Sequence, residues 1–144
     1  MKIIIDTNVL LSALIKDSST RTILIESGWT FYYPEISFHE VRKYKDLVIK
    51  KSKLTDKEYS QLMTLLLGKI ILLSEEQINS NIDEAKRIML KIDPDDAPFI
   101  AAKLSIENSF IWSNDKGYDL QNEVSVIKTF KMVEFFESIF KKKL

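Results

Sequence analysis

The chain opens on Lys2-Ile3-Ile4-Ile5, a short unbroken run of apolar, β-branched residues, and similar runs recur at Lys69-Ile70-Ile71-Leu72-Leu73, Phe110-Ile111-Trp112 and Val124-Ser125-Val126-Ile127. A continuous apolar run, as opposed to an alternating one, marks a strand covered on both faces, which is the condition of a parallel sheet. Thr30-Phe31-Tyr32-Tyr33, ending at Pro34, reads as a further short strand. Helical spacing fills the intervals. Asn8 to Ile15 and Ser19 to Ser27 carry apolar residues at that spacing, with Gly28 as a stop, and Glu35 to Ile49 predicts a third helix. Thr55-Asp56-Lys57-Glu58 and Ser74-Glu75-Glu76-Gln77 are capping boxes, each followed by an apolar repeat. Helical patterns also follow Asp93 to Asp96 and run from Lys131 to Lys142. Strands alternating with helices imply an α/β sandwich, a three-layer α/β/α arrangement on a mainly parallel central sheet.

At 144 residues, with no linker, repeat or low-complexity tract, the expectation is a single domain over 1–144. The apolar runs are too short to span a membrane, and Asp6 interrupts the N-terminus before a signal sequence could form, so a cytoplasmic chain is expected. Lys plus Arg and Asp plus Glu each number 21, which excludes binding nucleic acid by bulk positive charge. There is no Cys and only one His, so thiolate chemistry and most zinc sites are excluded. A metal here would be held by carboxylates.

In open parallel sheets ligands bind at the carboxyl ends of the strands. Asp6-Thr7-Asn8 follows the first strand, and Ser113-Asn114-Asp115 follows the run ending at Trp112. Each delivers a carboxylate beside a hydroxyl and an amide, although a helix cap at Asp6 or Thr7 and a turn at Asn114 to Gly117 would explain the same residues. Asp93-Pro94-Asp95-Asp96-Ala97-Pro98 places three acids at a helix start, where capping needs only one. The prolines are expected to hold Asp93 and Ala97 out of helical geometry, putting the helix start between them. Glu40 shares a helical stripe with Ile36, Tyr44 and Leu47 and is expected to face the core or its rim, or else to close a capping box with Ser37. His39 reads as a surface residue. Two carboxylates about 4 Å apart repel by roughly 4 kcal/mol at an effective dielectric near 20, so a cluster of Asp6, Glu40, Asp96 and Asp115 would raise its pKa values or recruit a cation. All-oxygen ligation favours Mg²⁺ or Mn²⁺.

These motifs resemble the PIN domain family, most closely its small stand-alone ribonuclease toxins of the VapC type. Ile3-Ile4-Ile5-Asp6-Thr7-Asn8-Val9-Leu10 resembles the opening strand and first acid. Glu40 resembles the family's glutamate early in the helix after the second strand. Asp95-Asp96-Ala97-Pro98-Phe99-Ile100-Ala101-Ala102 resembles the third acidic motif, with Asp96 as its aspartate. Ser113-Asn114-Asp115-Lys116-Gly117-Tyr118 resembles the last, with Ser113 where Thr is more frequent, and Asp119 stands as a possible extra acid there.

The resemblance implies a metal-dependent endoribonuclease in which Asp6, Glu40, Asp96 and Asp115 are catalytic and bind one or two Mg²⁺ or Mn²⁺ ions, with Asn8 and Ser113 orienting carboxylates. It further implies a homodimer and a small antitoxin protein. Arg42, Lys43 and Lys45, in a basic stretch after Glu40, are candidate RNA contacts, although such a run also suits a solvated helix face. The alternatives are an RNA-processing PIN nuclease or a non-catalytic PIN-like module that binds RNA or protein. A phosphatase of the haloacid dehalogenase type fits poorly, because that family places a second Asp two residues after the first, where this chain has Asn8.

Overall fold

A computed structural model of the protein describes residues 1–144. Five strands, β1 (Lys2–Ile5), β2 (Thr30–Pro34), β3 (Ile70–Leu73), β4 (Ser109–Trp112) and β5 (Val126–Ile127), form one sheet in the order β3-β2-β1-β4-β5. All four pairings are parallel. The central strand is β1, and Ile3, Ile4 and Ile5 are each fully buried, as a strand covered on both faces requires. At the edge, β3 leaves Ile71 and Leu72 exposed.

From β1 the chain passes through α1 (Thr7–Ile15) and α2 (Ser19–Glu26) to β2, and through α3 (Phe38–Lys43), α4 (Lys45–Ser52) and α5 (Asp56–Leu67) to β3. It then returns past β1 by way of α6 (Glu75–Ile78), α7 (Ile82–Met89) and α8 (Ala97–Ser105) to β4, and closes with α9 (Thr129–Phe140) after β5. Right-handed crossovers running in opposite directions along a sheet lie on opposite faces. The helices α1 to α5 therefore cover one face and α6 to α8 the other. On the first face α9 joins α2, and Trp29 stacks edge-on against Phe136 at 6.3 Å.

Local chemistry sets the boundaries. The capping boxes at Thr55 and Ser74 both form, and Gly28 takes the left-handed conformation (φ 70°) that ends α2. Three sequence expectations are corrected. The helix expected over Glu35 to Ile49 is a 3₁₀ turn followed by α3 and α4, broken at Tyr44 (φ −98°, ψ 6°). The helix after Ser74 is interrupted at Asn79–Asn81 by a 3₁₀ turn, where Asn81 donates to Ser105 Oγ at 2.9 Å; Asn and Ser side chains compete with regular helix bonding. Ala97 is helical (φ −53°, ψ −38°) despite preceding Pro98, because Pro98 falls in the first turn of α8, where a missing N–H costs nothing. No helix is long and apolar enough to cross a membrane.

Candidate active site

The order in which strands are added reverses between the parallel neighbours β1 and β4, so the connections leaving them diverge to opposite faces and open a crevice at their carboxyl ends. Ile5 pairs with Trp112, which brings the next residues, Asp6 and Ser113, side by side. Ser113 is fully buried, donates its hydroxyl to Asp6 Oδ2 and accepts the Asp115 backbone N–H at 3.0 Å. The other oxygen of Asp6 accepts from Val9 N at 2.8 Å and so caps α1. Capping and site placement are thus both true of Asp6, one oxygen serving each.

Helices in the crossovers run antiparallel to the strands, so their N-termini arrive at this same end of the sheet. Asp96 stands at the start of α8, but its side chain makes no cap hydrogen bond. Asp93 does the local work by accepting from Asp95 N at 3.1 Å. The Asp96 carboxyl is left facing the acids. Burial, followed by the charges of Asp93, Asp115, Asp6 and Glu40, pushes its pKa up to about 7. Burial pushes Asp6 up to about 6, with the hydrogen bonds from Ser113 and Val9 opposing and the charges of Asp115 and Glu40 adding to the rise. Asp115, half-buried, pins its own turn by accepting from Gly117 N at 2.9 Å.

Glu40 comes from α3, just beyond β2. The Ser37 side chain makes no cap hydrogen bond, so the capping box does not form there. The stripe it shares is not a core face: Ile36, Tyr44 and Leu47 are 45%, 38% and 44% exposed. Ile36, Glu40 and Tyr44 form one wall of a groove of about 600 Å³. Burial raises the Glu40 pKa, and the nearby Thr7 hydroxyl partly offsets the rise.

Asn8 is exposed and hydrogen-bonds none of the acids, because one helical residue, about 100°, separates it from the inward face of α1. Thr7 occupies that face instead. It is 6% exposed and lies 2.8 Å from the Tyr33 hydroxyl, which donates to Ser37 O at 3.0 Å, so β2, α1 and the start of α3 are tied together beside Glu40. Its hydroxyl and its place after Asp6 were the available signals. Asp119, the possible extra acid, is exposed and pairs with Lys128 Nζ at 2.9 Å. His39 is exposed, with Nδ1 2.8 Å from Ile36 O.

The groove runs from Glu40 and Asp96 between α3 and the α6–α7 segment, with Lys43 and Tyr44 on one wall and Lys86 on the other. Among the basic residues singled out, Lys43 lines this groove, with its ammonium 5.5 Å from the Tyr44 ring centre. Arg42 lies over Phe38 and Lys45 over Tyr59, each at 5.6 Å. All three are exposed.

The donor set is all oxygen. The four carboxylates feel one another's charge, yet no three of them converge into a ready-made cage, as expected of like charges held on separate elements. Mg²⁺ is commonly bound through one or two carboxylates and keeps several waters, so a spread set of acids fits a hydrated ion better than a fully protein-built site.

No curated protein matches the sequence. A family model described as PIN domain matches residues 4–131, from within β1 into α9, and the matched stretch contains all four acids of the crevice. With an all-parallel sheet placing Asp6, Glu40, Asp96 and Asp115 at one end, the chain belongs to the PIN domain family.

Proposed function

We propose that this PIN domain is a metal-dependent endoribonuclease that hydrolyses RNA to leave a 3′-hydroxyl and a 5′-phosphate. PIN domains as a family are nucleases. The observation that carries the reading is the meeting of Asp6 and Asp96, from elements on opposite faces of the sheet, in one crevice where each is pushed into the neutral range by burial and by neighbouring acids. Such stored repulsion is relieved by a divalent cation.

Asp6, Asp96 and Asp115 are the residues that would hold one or two Mg²⁺ or Mn²⁺ ions. When bound, an ion of this kind lowers the pKa of water and stabilises negative charge on the phosphoryl group and the leaving oxygen. The chain supplies the positioning. Ser113 fixes the face that Asp6 presents, while the Gly117 N–H fixes Asp115. Glu40, held beside Thr7 at the mouth of the groove, orients the attacking water or adds a ligand. Lys43 and Lys86 on the groove walls offer charge to phosphates on either side of the scissile bond. In the fuller form of this reading, the protein acts in the cytoplasm as the homodimeric toxin of a toxin–antitoxin pair, with a small antitoxin covering the groove.

The test is purified wild type against Asp6→Asn, incubated with RNA in Mg²⁺, Mn²⁺ or chelator, followed by mapping of 5′-phosphate ends. New ends are expected only with wild type and a divalent ion. Identical end maps for the two proteins would sink the proposal.

A further inference from the structure

Tyr118 carries the only buried side-chain polar atom in the protein without a hydrogen-bond partner. The residue is 2% exposed and sits on the 3₁₀ turn Lys116–Leu120, directly after Asp115. That turn is fixed. Gly117 N donates to Asp115 Oδ1, Tyr118 N donates to Asp115 O at 3.3 Å, and a Cβ on Gly117 would come within 3.3 Å of both the Asp115 carboxylate and Ile92. The ring therefore has little freedom to swing its hydroxyl toward another acceptor.

A donor buried without an acceptor is costly, and a phenyl ring would fill the same space without that cost. Burial first, and then the charges of Asp96, Asp6, Asp115 and Asp93, push its ionisation far upward. It stays protonated at any ordinary pH and can act only as a donor toward the acids. It hydrogen-bonds none of those carboxylates. A buried donor in the field of four acids and bonded to none of them is satisfied by an oxygen that comes between. The spread of the carboxylates already favours an ion that keeps its waters.

We propose that Tyr118 is a positioning residue whose hydroxyl donates to a hydration water of the divalent ion held by Asp6, Asp96 and Asp115. This rests on the divalent-ion reading of the site. Tyr118 touches neither a carboxylate nor the ion itself. By taking a hydrogen bond to the water, it favours the ion bound with that water in a fixed orientation, as groups beyond the ligands do in other metal sites.

The experiment is thermal unfolding of wild type and Tyr118→Phe, first in chelator and then over a titration of Mn²⁺, with Mg²⁺ as a second arm. The substitution removes only an atom that has no partner, so the variant is expected to fold and, in chelator, to unfold at the same temperature as wild type or a higher one. The ion should then raise its unfolding temperature less, with apparent affinity weakened on the order of tenfold. A purely packing role would leave the ion-induced shift untouched. Equal shifts in the two proteins overturn the inference, and so does a variant clearly less stable than wild type in chelator, because the hydroxyl would then have a partner within the fold. A wild type that neither ion stabilises removes the divalent-ion reading and this inference together, so the two failures are distinguishable.

Discussion

Asp96→Asn is expected to make the protein more stable while abolishing its proposed activity. The carboxyl of Asp96 is pushed from 3.8 up to about 7, with burial as the first cause and four neighbouring acids as the others. Between about pH 4 and 7 the folded protein binds a proton at this site that the unfolded chain has released. Wild-type stability therefore falls as pH rises through that window, and the full cost of the charge is present above it. A shift of about 3 units corresponds to about 4 kcal/mol for a fully buried group. Asp96 is only half-buried, so solvent screening reduces this. The asparagine also forfeits roughly 0.3–1 kcal/mol of attraction between the charge and the N-terminus of α8. The net gain is set at about 1–2 kcal/mol at pH 8, or about 2–8 °C in Tm for a chain of this size. Because no hydrogen bond to the Asp96 carboxylate has to be replaced, the substitution tests charge alone. The assay is thermal or urea unfolding of both proteins in chelator at pH 4 and pH 8. The gain should appear at pH 8 and nearly vanish at pH 4, where the carboxyl is protonated in the folded chain and only about half ionised in the unfolded one. Adding Mn²⁺ should narrow or reverse the difference, since an ion at ten times its Kd stabilises wild type by about 1.4 kcal/mol. A variant less stable than wild type at pH 8 in chelator, or equally stabilised at both pH values, would refute the account of the crevice as a site of unrelieved acid repulsion.

Ser113→Ala removes the buried donor to Asp6 and the acceptor of the Asp115 N–H, so it should cost about 1–3 kcal/mol in urea unfolding and lower RNA cleavage with it. Unchanged stability would mean that this link between β1 and β4 carries no strength. Thr7→Val and Asn8→Ala form a pair that separates the inward and outward faces of α1. Cleavage assays should show a loss of about tenfold for Thr7→Val, which releases Tyr33 and removes the hydroxyl beside Glu40, and no loss for Asn8→Ala. The opposite order would restore Asn8 to the supporting role that its position in the motif suggests.

Sequence alone determined what depends on neighbours along the chain. Continuous apolar runs identified the strands, because burial on both faces leaves no polar position. The Thr55 and Ser74 capping boxes formed where read, because each closes within four residues. Asp6, Asp96 and Asp115 were legible as acids at strand ends and helix starts. The start of β5 and the interruptions at Tyr44 and Asn79–Asn81 were less legible, since a two-residue strand and a mid-helix 3₁₀ turn barely disturb the hydrophobic period.

The tertiary structure decided everything that depends on which face of an element meets the sheet. Thr7 and Asn8 are adjacent in sequence, and only the docking of α1 buries one and exposes the other. The stripe of Ile36, Glu40, Tyr44 and Leu47 has the spacing of a core face, yet Ile36, Glu40 and Tyr44 line a groove and Leu47 is exposed. Asp119 and Asp115 lie four residues apart, but Lys128 holds one outside the crevice while Gly117 holds the other in place. Tyr118 gave no sign of itself beyond being aromatic, because an unpaired hydroxyl is a property of what surrounds it. Periodicity fixes elements through local backbone geometry, whereas a site is fixed by long-range packing, and the raised pKa values of Asp6 and Asp96 exist only once that packing has brought like charges together and taken water away.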